Sequence, residues 1–254
     1  MRSIFLLLFF FAAASLRADD APASFAEGNT RFVAGENAAA TGQAKAAYAE
    51  AAIGYRAALA QSGGSWAGYY NLGCALARME DWGGAALAFE RAVASDPLRP
   101  EAAENLALTR KAAGLAPERP CGTLERIAAR IPFRYLLWTG AAAFWGALAF
   151  LVLPLLYGGH GAGSIAGALL CLILLAGCAA GLFGWHLRAR WEIVTSPDAQ
   201  LLAAPDPRAS LVGKAAPASG ALVLRREGDW VFLHTEGGME GWAQKSVAEP
   251  VWQK

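Results

Sequence analysis

Two uncharged apolar stretches in the middle of the chain, residues 135–157 and 164–187, constrain the fold more than any other feature. At ~1.5 Å rise per residue the first reaches about 35 Å as a helix, enough to cross a hydrocarbon core of about 30 Å. The second is of similar length, with only His186 near its end. The connection Gly158-Gly159-His160-Gly161-Ala162-Gly163 is too short for a domain. A transmembrane hairpin is therefore expected, with the flanking segments on one side of the membrane. Tyr135, Trp138, Tyr157 and Trp185 suit the interfaces. Gly140, Gly146, Gly163, Gly167, Gly177, Gly181 and Gly184 would let helices approach closely. No Asp, Glu, Lys or Arg lies inside either stretch, so the usual mark of an ion pathway is missing and an anchor is expected rather than a transporter.

The chain is 56% hydrophobic and 17% charged, but the apolar excess sits in these stretches and at the N-terminus. The remaining segments read as soluble. A net charge of +1 supplies no field for nucleic acid, and no nucleic-acid partner is expected. Cys74, Cys121, Cys171 and Cys178 form neither a CxxC pair nor a zinc pattern with the histidines. They read as packing residues and not as a disulfide framework.

Residues 1–18 read as a signal peptide: one arginine, a short apolar run from Ile4 to about Ala14, then small residues up to Ala18. Ala12-Ala13-Ala14 offers a second cleavage site, and an uncleaved anchor is the rival reading. The absence of a cysteine near the cleavage region argues against a lipoprotein. The signal peptide places both soluble parts in the periplasm, in a two-pass protein of a bacterial inner membrane. Arg126, Arg130 and Arg134 before the hairpin, and Arg188 and Arg190 after it, point to the cytoplasm by the positive-inside rule. Large translocated segments weaken that rule, so the periplasmic side is preferred.

Residues 22–116 carry a helical repeat. At a spacing of 34, Tyr48 aligns with Trp82, Ala51 with Ala85, Tyr55 with Phe89, Ala58 with Ala92, Asn71 with Asn105 and Leu72 with Leu106. This period is the tetratricopeptide signature, an all-α stack of helix pairs. Gly73 and Ala85 fall where the helices of a unit cross, and Leu72, Phe89 and Ala92 fill the seam. Pro97 ends the second helix. A degenerate earlier unit begins near Phe25, with about 11 extra residues around 37–47, read as a loop or as an extension of its second helix. A third unit has only a first helix, at about residues 100–113. Asn29, Asn71 and Asn105 fall on first helices and are the candidate peptide-binding groove, since Asn pairs with the backbone of an extended peptide. They are equally able to bond within the stack. Glu101 and Asn105 stand where a carboxylate clamp would need basic residues.

From Trp191 onward the chain reads as short strands: Leu222-Val223-Leu224, Trp230–Leu233 and Gly241-Trp242-Ala243, with turns at Gly228-Asp229 and Gly237-Gly238. Residues 191–254 are expected to form a small all-β barrel. The runs Arg226-Glu227-Gly228-Asp229-Trp230-Val231 and Gly241-Trp242-Ala243 resemble bacterial SH3-type domains. Trp230 and Trp242 are then the candidate ligand face, with cell-wall peptide or a protein segment as the ligand class. Packing inside the barrel is the preferred reading of both.

No phosphate-binding Gly-rich loop, GxSxG elbow or HExxH motif occurs. His160, His186 and His234 are scattered, and no nucleophile–base pair can be assembled. No enzymatic activity, cofactor or metal is expected.

Signal peptide, tetratricopeptide units, transmembrane hairpin and SH3-type domain, in that order, resemble the Bacteroides aerotolerance protein BatE family. Gly28-Asn29, Tyr69-Tyr70-Asn71-Leu72-Gly73 and Asn105-Leu106 carry much of the resemblance. The Ala-rich insertion and Arg31 before Phe32 depart from a clean first repeat. The resemblance implies action beside MoxR-type ATPases and von Willebrand factor A-domain membrane proteins, with links to aerotolerance and envelope stress. The expected function is a non-enzymatic, membrane-anchored scaffold that binds partner proteins through its repeats. The alternative is an envelope sensor, or a peptidoglycan-binding protein acting through the SH3-like domain.

Overall fold

The computed structural model describes residues 23–157 and 161–252. The predicted signal peptide, and Gly158-Gly159-His160 of the predicted connection, lie outside the described residues.

Five helices, packed in succession, form the first region: α1 (Ala23–Glu36), α2 (Thr41–Ser62), α3 (Trp66–Arg78), α4 (Trp82–Ser95) and α5 (Pro100–Ala112). They form a tetratricopeptide-like stack. Local chemistry sets their ends. Ser65 caps α3 by accepting from the Gly68 amide at 3.1 Å, and Asp81 caps α4 by accepting from Gly84 at 3.0 Å. Gly63, at φ 71°, takes the left-handed position that closes α2. Pro100 opens α5 where no helical N–H is needed.

The aligned residues do equivalent work in both units. A Cβ on Gly73 would lie 2.7 Å from the Phe89 ring, and one on Gly28 would lie 2.8 Å from the Tyr55 ring. Each glycine lets a first helix rest on the aromatic ring of its second. The extra residues of the first unit join its second helix. Because Tyr48 aligns with Trp82, the first residue of α4, the segment 41–47 extends α2 at its N-terminal end.

A short helix, α6 (Thr123–Ala128), follows. Then come two long apolar helices, α7 (Phe133–Tyr157) and α8 (Ala162–Ala189), long and apolar enough to span a membrane. They contain the predicted stretches and extend them by two residues at each extended end. The hairpin is packed through glycine. Gly146 faces Cys171, Gly140 faces Cys178, Gly167 faces the Phe150 ring and Gly181 faces Leu136, in a steady antiparallel register. Gly184 instead receives α6, its missing Cβ leaving room for Ala128 and the Leu124 carbonyl. Gly163 and Gly177 meet nothing. Large side chains such as Trp145 and Ile173 point away from the hairpin, as a lipid-facing surface requires.

The chain ends in one antiparallel sheet of seven strands: β1 (Trp191–Val194), β2 (Ala199–Leu202), β3 (Leu211–Ala215), β4 (Gly220–Glu227), β5 (Trp230–Thr235), β6 (Glu240–Gln244) and β7 (Ala248–Pro250), ordered β3-β2-β6-β5-β4-β1-β7. Gly228-Asp229 turns β4 into β5 as the sequence predicts, with Gly228 at φ 57°. Val194, Leu201, Val231 and Leu233 fill the core on one face. Strands β1, β2, β3 and β7 lie outside the three predicted runs, because each is short and set among Ala, Pro and Asp residues that mask a period of two.

Candidate functional site

The concave side of the stack is built by the first helices α1, α3 and α5. Two adjoining cavities occupy it, of about 250 and about 460 Å³, and both are lined by Phe32, Tyr70 and Cys74. The smaller is bordered by Asn29 and Asn71, and the larger by Asn105, Trp82 and Leu108. The three predicted asparagines therefore lie along one groove.

Each asparagine also bonds within the stack. Asn29 Oδ1 accepts from the Tyr55 hydroxyl at 2.9 Å and from Asn71 Nδ2 at 3.2 Å. Asn105 Nδ2 donates to the Tyr70 hydroxyl at 3.1 Å. Asn105 Nδ2 also donates to the Cys74 sulfur at 3.9 Å, so what these bonds leave for a ligand is the carbonyl oxygen of Asn71 and of Asn105. Burial pushes the Tyr55 hydroxyl up to about 12, with nearby Cys74 adding to the effect. Burial also pushes the Cys74 thiol above its ordinary value, so it stays protonated at neutral pH. The groove thus presents neutral donors and acceptors among aromatic and aliphatic walls, with the charged Arg78 lining its larger cavity. Arg78 and Glu36, 3.5 Å apart, form an ion pair between α3 and α1.

Behind the groove, α4 is buried on both faces. Ala85, Ala88 and Phe89 face the stack. Ala86, Leu87 and Ala94 join a separate cluster with Leu136 of α7, Trp185 of α8, Ile193 of β1 and Val251. The helix stack, the hairpin base and the sheet thus share one core. A Cβ on Gly83 would come within 2.5 Å of the Thr195 carbonyl, so α4 and the end of β1 touch backbone to backbone. Arg91 donates to the Pro250 and Val251 carbonyls at 3.0 and 3.2 Å. Trp185 Nε1 donates to the Ile131 carbonyl at 3.0 Å, and its ring meets Trp252 edge-on.

Buried ion pairs cross the same junction. Arg188 of α8 lies 2.6 Å from Glu90 of α4, and Arg110 of α5 lies 2.6 Å from Glu236 after β5. Burial alone would raise the Glu90 carboxyl, but the guanidinium groups of Arg188, Arg119 and Arg110 outweigh it and hold Glu90 below its ordinary value. None of these residues stands out in the sequence. The available signal is α4 itself, apolar all round except for Glu90, Arg91 and the terminal Ser95, the pattern of a helix covered on every side.

Trp230 and Trp242 lie on the sheet face opposite the core. Trp242 pairs in register with Phe232, and their ring centroids are 5.3 Å apart. Trp242 is buried and Trp230 half-buried, so neither presents an open aromatic platform. His186 stacks on Phe183, and His234 bonds Glu240 at 2.9 Å. Among the described residues no three His, Cys, Asp or Glu side chains come together to hold a metal ion. Comparison with known protein families, curated proteins and solved structures finds no match to this chain.

Proposed function

We propose that this protein is a non-enzymatic, membrane-anchored scaffold whose concave groove holds a segment of a partner protein. The observation that carries the reading is the asymmetry of the stack. Its back, α4, is locked onto the sheet and the hairpin base, while the groove of α1, α3 and α5 stays open. The fitting occupant is an extended segment with an apolar or aromatic anchor for the cavity beside Leu108 and Trp82, its backbone amides meeting the asparagines.

The order of parts supports placing the scaffold beside MoxR-type ATPases and von Willebrand factor A-domain membrane proteins, in an envelope system linked to aerotolerance or stress. The C-terminal sheet is read as an SH3-type domain that braces the repeats. The rival reading, a peptidoglycan binder or envelope sensor, draws less support because Trp242 is buried with its ring tilted against Phe232.

A periplasmic location of both soluble parts belongs to the same proposal. Arg188 neutralises Glu90, which gives one hairpin-flanking arginine a structural role and lessens the weight of the positive-inside count. A C-terminal alkaline phosphatase fusion tests the side, and an inactive fusion overturns it.

Site-specific photo-crosslinking tests the scaffold. A crosslinker at Leu108, in the groove, is expected to trap a discrete membrane partner. One at Ile53, equally exposed on α2 outside the groove, is expected to trap none. Equal or absent crosslinking at both positions removes the groove from the proposal.

A further inference from the structure

Another cavity, of about 270 Å³, lies between α4, α5, the segment after α5 and the base of the hairpin. Five arginines line it, Arg110, Arg119, Arg126, Arg130 and Arg188, against two carboxylates, Glu90 and Glu118. Two arginines are spoken for. Arg188 is paired with Glu90, and Arg110 with Glu236, which stands behind it. Glu125 faces Arg119 but already accepts from the Gly122 amide at 3.2 Å. With Glu236 and Glu125 both counted, the five arginines still exceed the four carboxylates by one.

The other three arginines are incompletely satisfied by protein. Arg119 lies over the Trp191 ring at 4.3 Å, which fixes its guanidinium plane, yet its Nη1 is buried with no hydrogen-bond partner. A buried donor left in this way is costly unless a ligand or water completes it. Arg126 makes one long bond, 3.5 Å, to the Cys121 carbonyl. Arg130 is exposed, and its side chain makes no hydrogen bond or ion pair with a described residue.

The location narrows the anion. Arg130 lies three residues before α7 begins, and Arg188 sits in the last turn of α8. The cavity is therefore level with the ends of both spans, where Trp185 and Phe133 meet edge-on. Phe133, the first residue of α7, and Phe183, towards the end of α8, are exposed. We propose that this cavity binds the phosphodiester headgroup of an anionic phospholipid, with the acyl chains lying along the apolar faces of α7 and α8. Guanidinium groups match phosphate oxygens in charge and in fork geometry, and basic pockets at helix ends meet headgroups at this depth. The inference rests on the hairpin crossing a membrane and is independent of what the groove holds.

The test is native mass spectrometry of the full-length chain in detergent, titrated with phosphatidylglycerol or phosphatidylcholine. The wild type is expected to retain phosphatidylglycerol in preference. Arg119→Gln and the exposed Arg130→Gln should each weaken that retention about tenfold. Arg226→Gln, on the sheet beside Glu192, should leave it unchanged. Arg130→Gln keeps the test valid if Arg119→Gln unfolds. Equal retention of both lipids, or retention unaffected by Arg130→Gln, overturns the proposal. Displacement of the lipid by millimolar inorganic phosphate, with no lipid preference remaining, would assign the cavity to a soluble anion instead. Release of the chain from membranes by alkaline carbonate would remove the spanning reading as well, whereas loss of lipid preference alone removes only this inference.

Discussion

Arg110 and Glu236 lie 126 positions apart in the chain and 2.6 Å apart in space, with side chains only 3% and 8% exposed. Arg110 Nη1 also donates to the Ala218 carbonyl at 2.9 Å, and Nε to Ala116 at 3.0 Å. Glu236 accepts in turn from the Gly220 amide at 2.8 Å. The last helix of the stack is thereby fixed to the sheet by a fully bonded buried pair. Arg110→Met strands the carboxylate in the junction and is expected to cost about 3–5 kcal/mol. Thermal unfolding of the solubilised chain measures the loss, and Arg110→Met with Glu236→Gln together should recover part of it. Removing the exposed Arg31–Glu50 pair should leave the melting temperature unchanged.

Glu90 makes the junction sensitive to acid. Its carboxyl titrates below its ordinary value of 4.5, because the surrounding guanidinium groups overcome the effect of burial. A depressed folded-state value means the stabilisation is complete above the unfolded value and is lost as pH falls through the folded one. The wild type should therefore exceed Glu90→Gln in melting temperature at pH 7, and the gap should close as the pH falls from about 4.5 downward. A gap that stays constant down to pH 3 would show that folding does not hold the Glu90 carboxyl below its unfolded value.

Two helical glycines should respond in opposite directions. Gly83→Ala drives a methyl group into the Thr195 backbone, which cannot swing aside as a side chain would, and should cost about 1–3 kcal/mol. Gly42→Ala, in α2, meets nothing within 4 Å and should be neutral or stabilise by up to about 1 kcal/mol. A chemical denaturation series checks both. Equal effects would mean that α4 does not touch β1.

The groove asparagines separate binding from stability. The bond between Asn71 and Asn29 is exposed, so Asn71→Ala should cost no more than about 1 kcal/mol. Crosslinking from Leu108 to a partner should nonetheless fall several-fold. Unchanged crosslinking in Asn71→Ala and Asn105→Ala would assign both residues to the stack alone.

Much of the architecture is legible in the sequence because its signals are local or periodic. Gly73 and Phe89, like Gly28 and Tyr55, repeat their roles at matching places, and the glycines on α7 and α8 sit where two antiparallel helices must touch. The asparagines are legible as a set because they recur on first helices. Their bonds to Tyr55 and Tyr70 are not, since those depend on how far one helix leans over the next. Trp242 is read as a ligand or a packing residue, and only its register with Phe232 shows how it is buried.

The sequence by itself determined the parts: a helical stack, an uncharged hairpin and a strand-rich end, each specified by patterns within a few dozen residues. The tertiary structure alone decided how the parts join. Arg110 finds Glu236, Arg188 finds Glu90, and Gly83 meets Thr195 across separations that carry no periodic signal. The physical reason lies in desolvation. A charge that looks solvated in the sequence has a partner only once folding buries both, and that partner is set by the packing of α4 and α5 rather than by spacing along the chain.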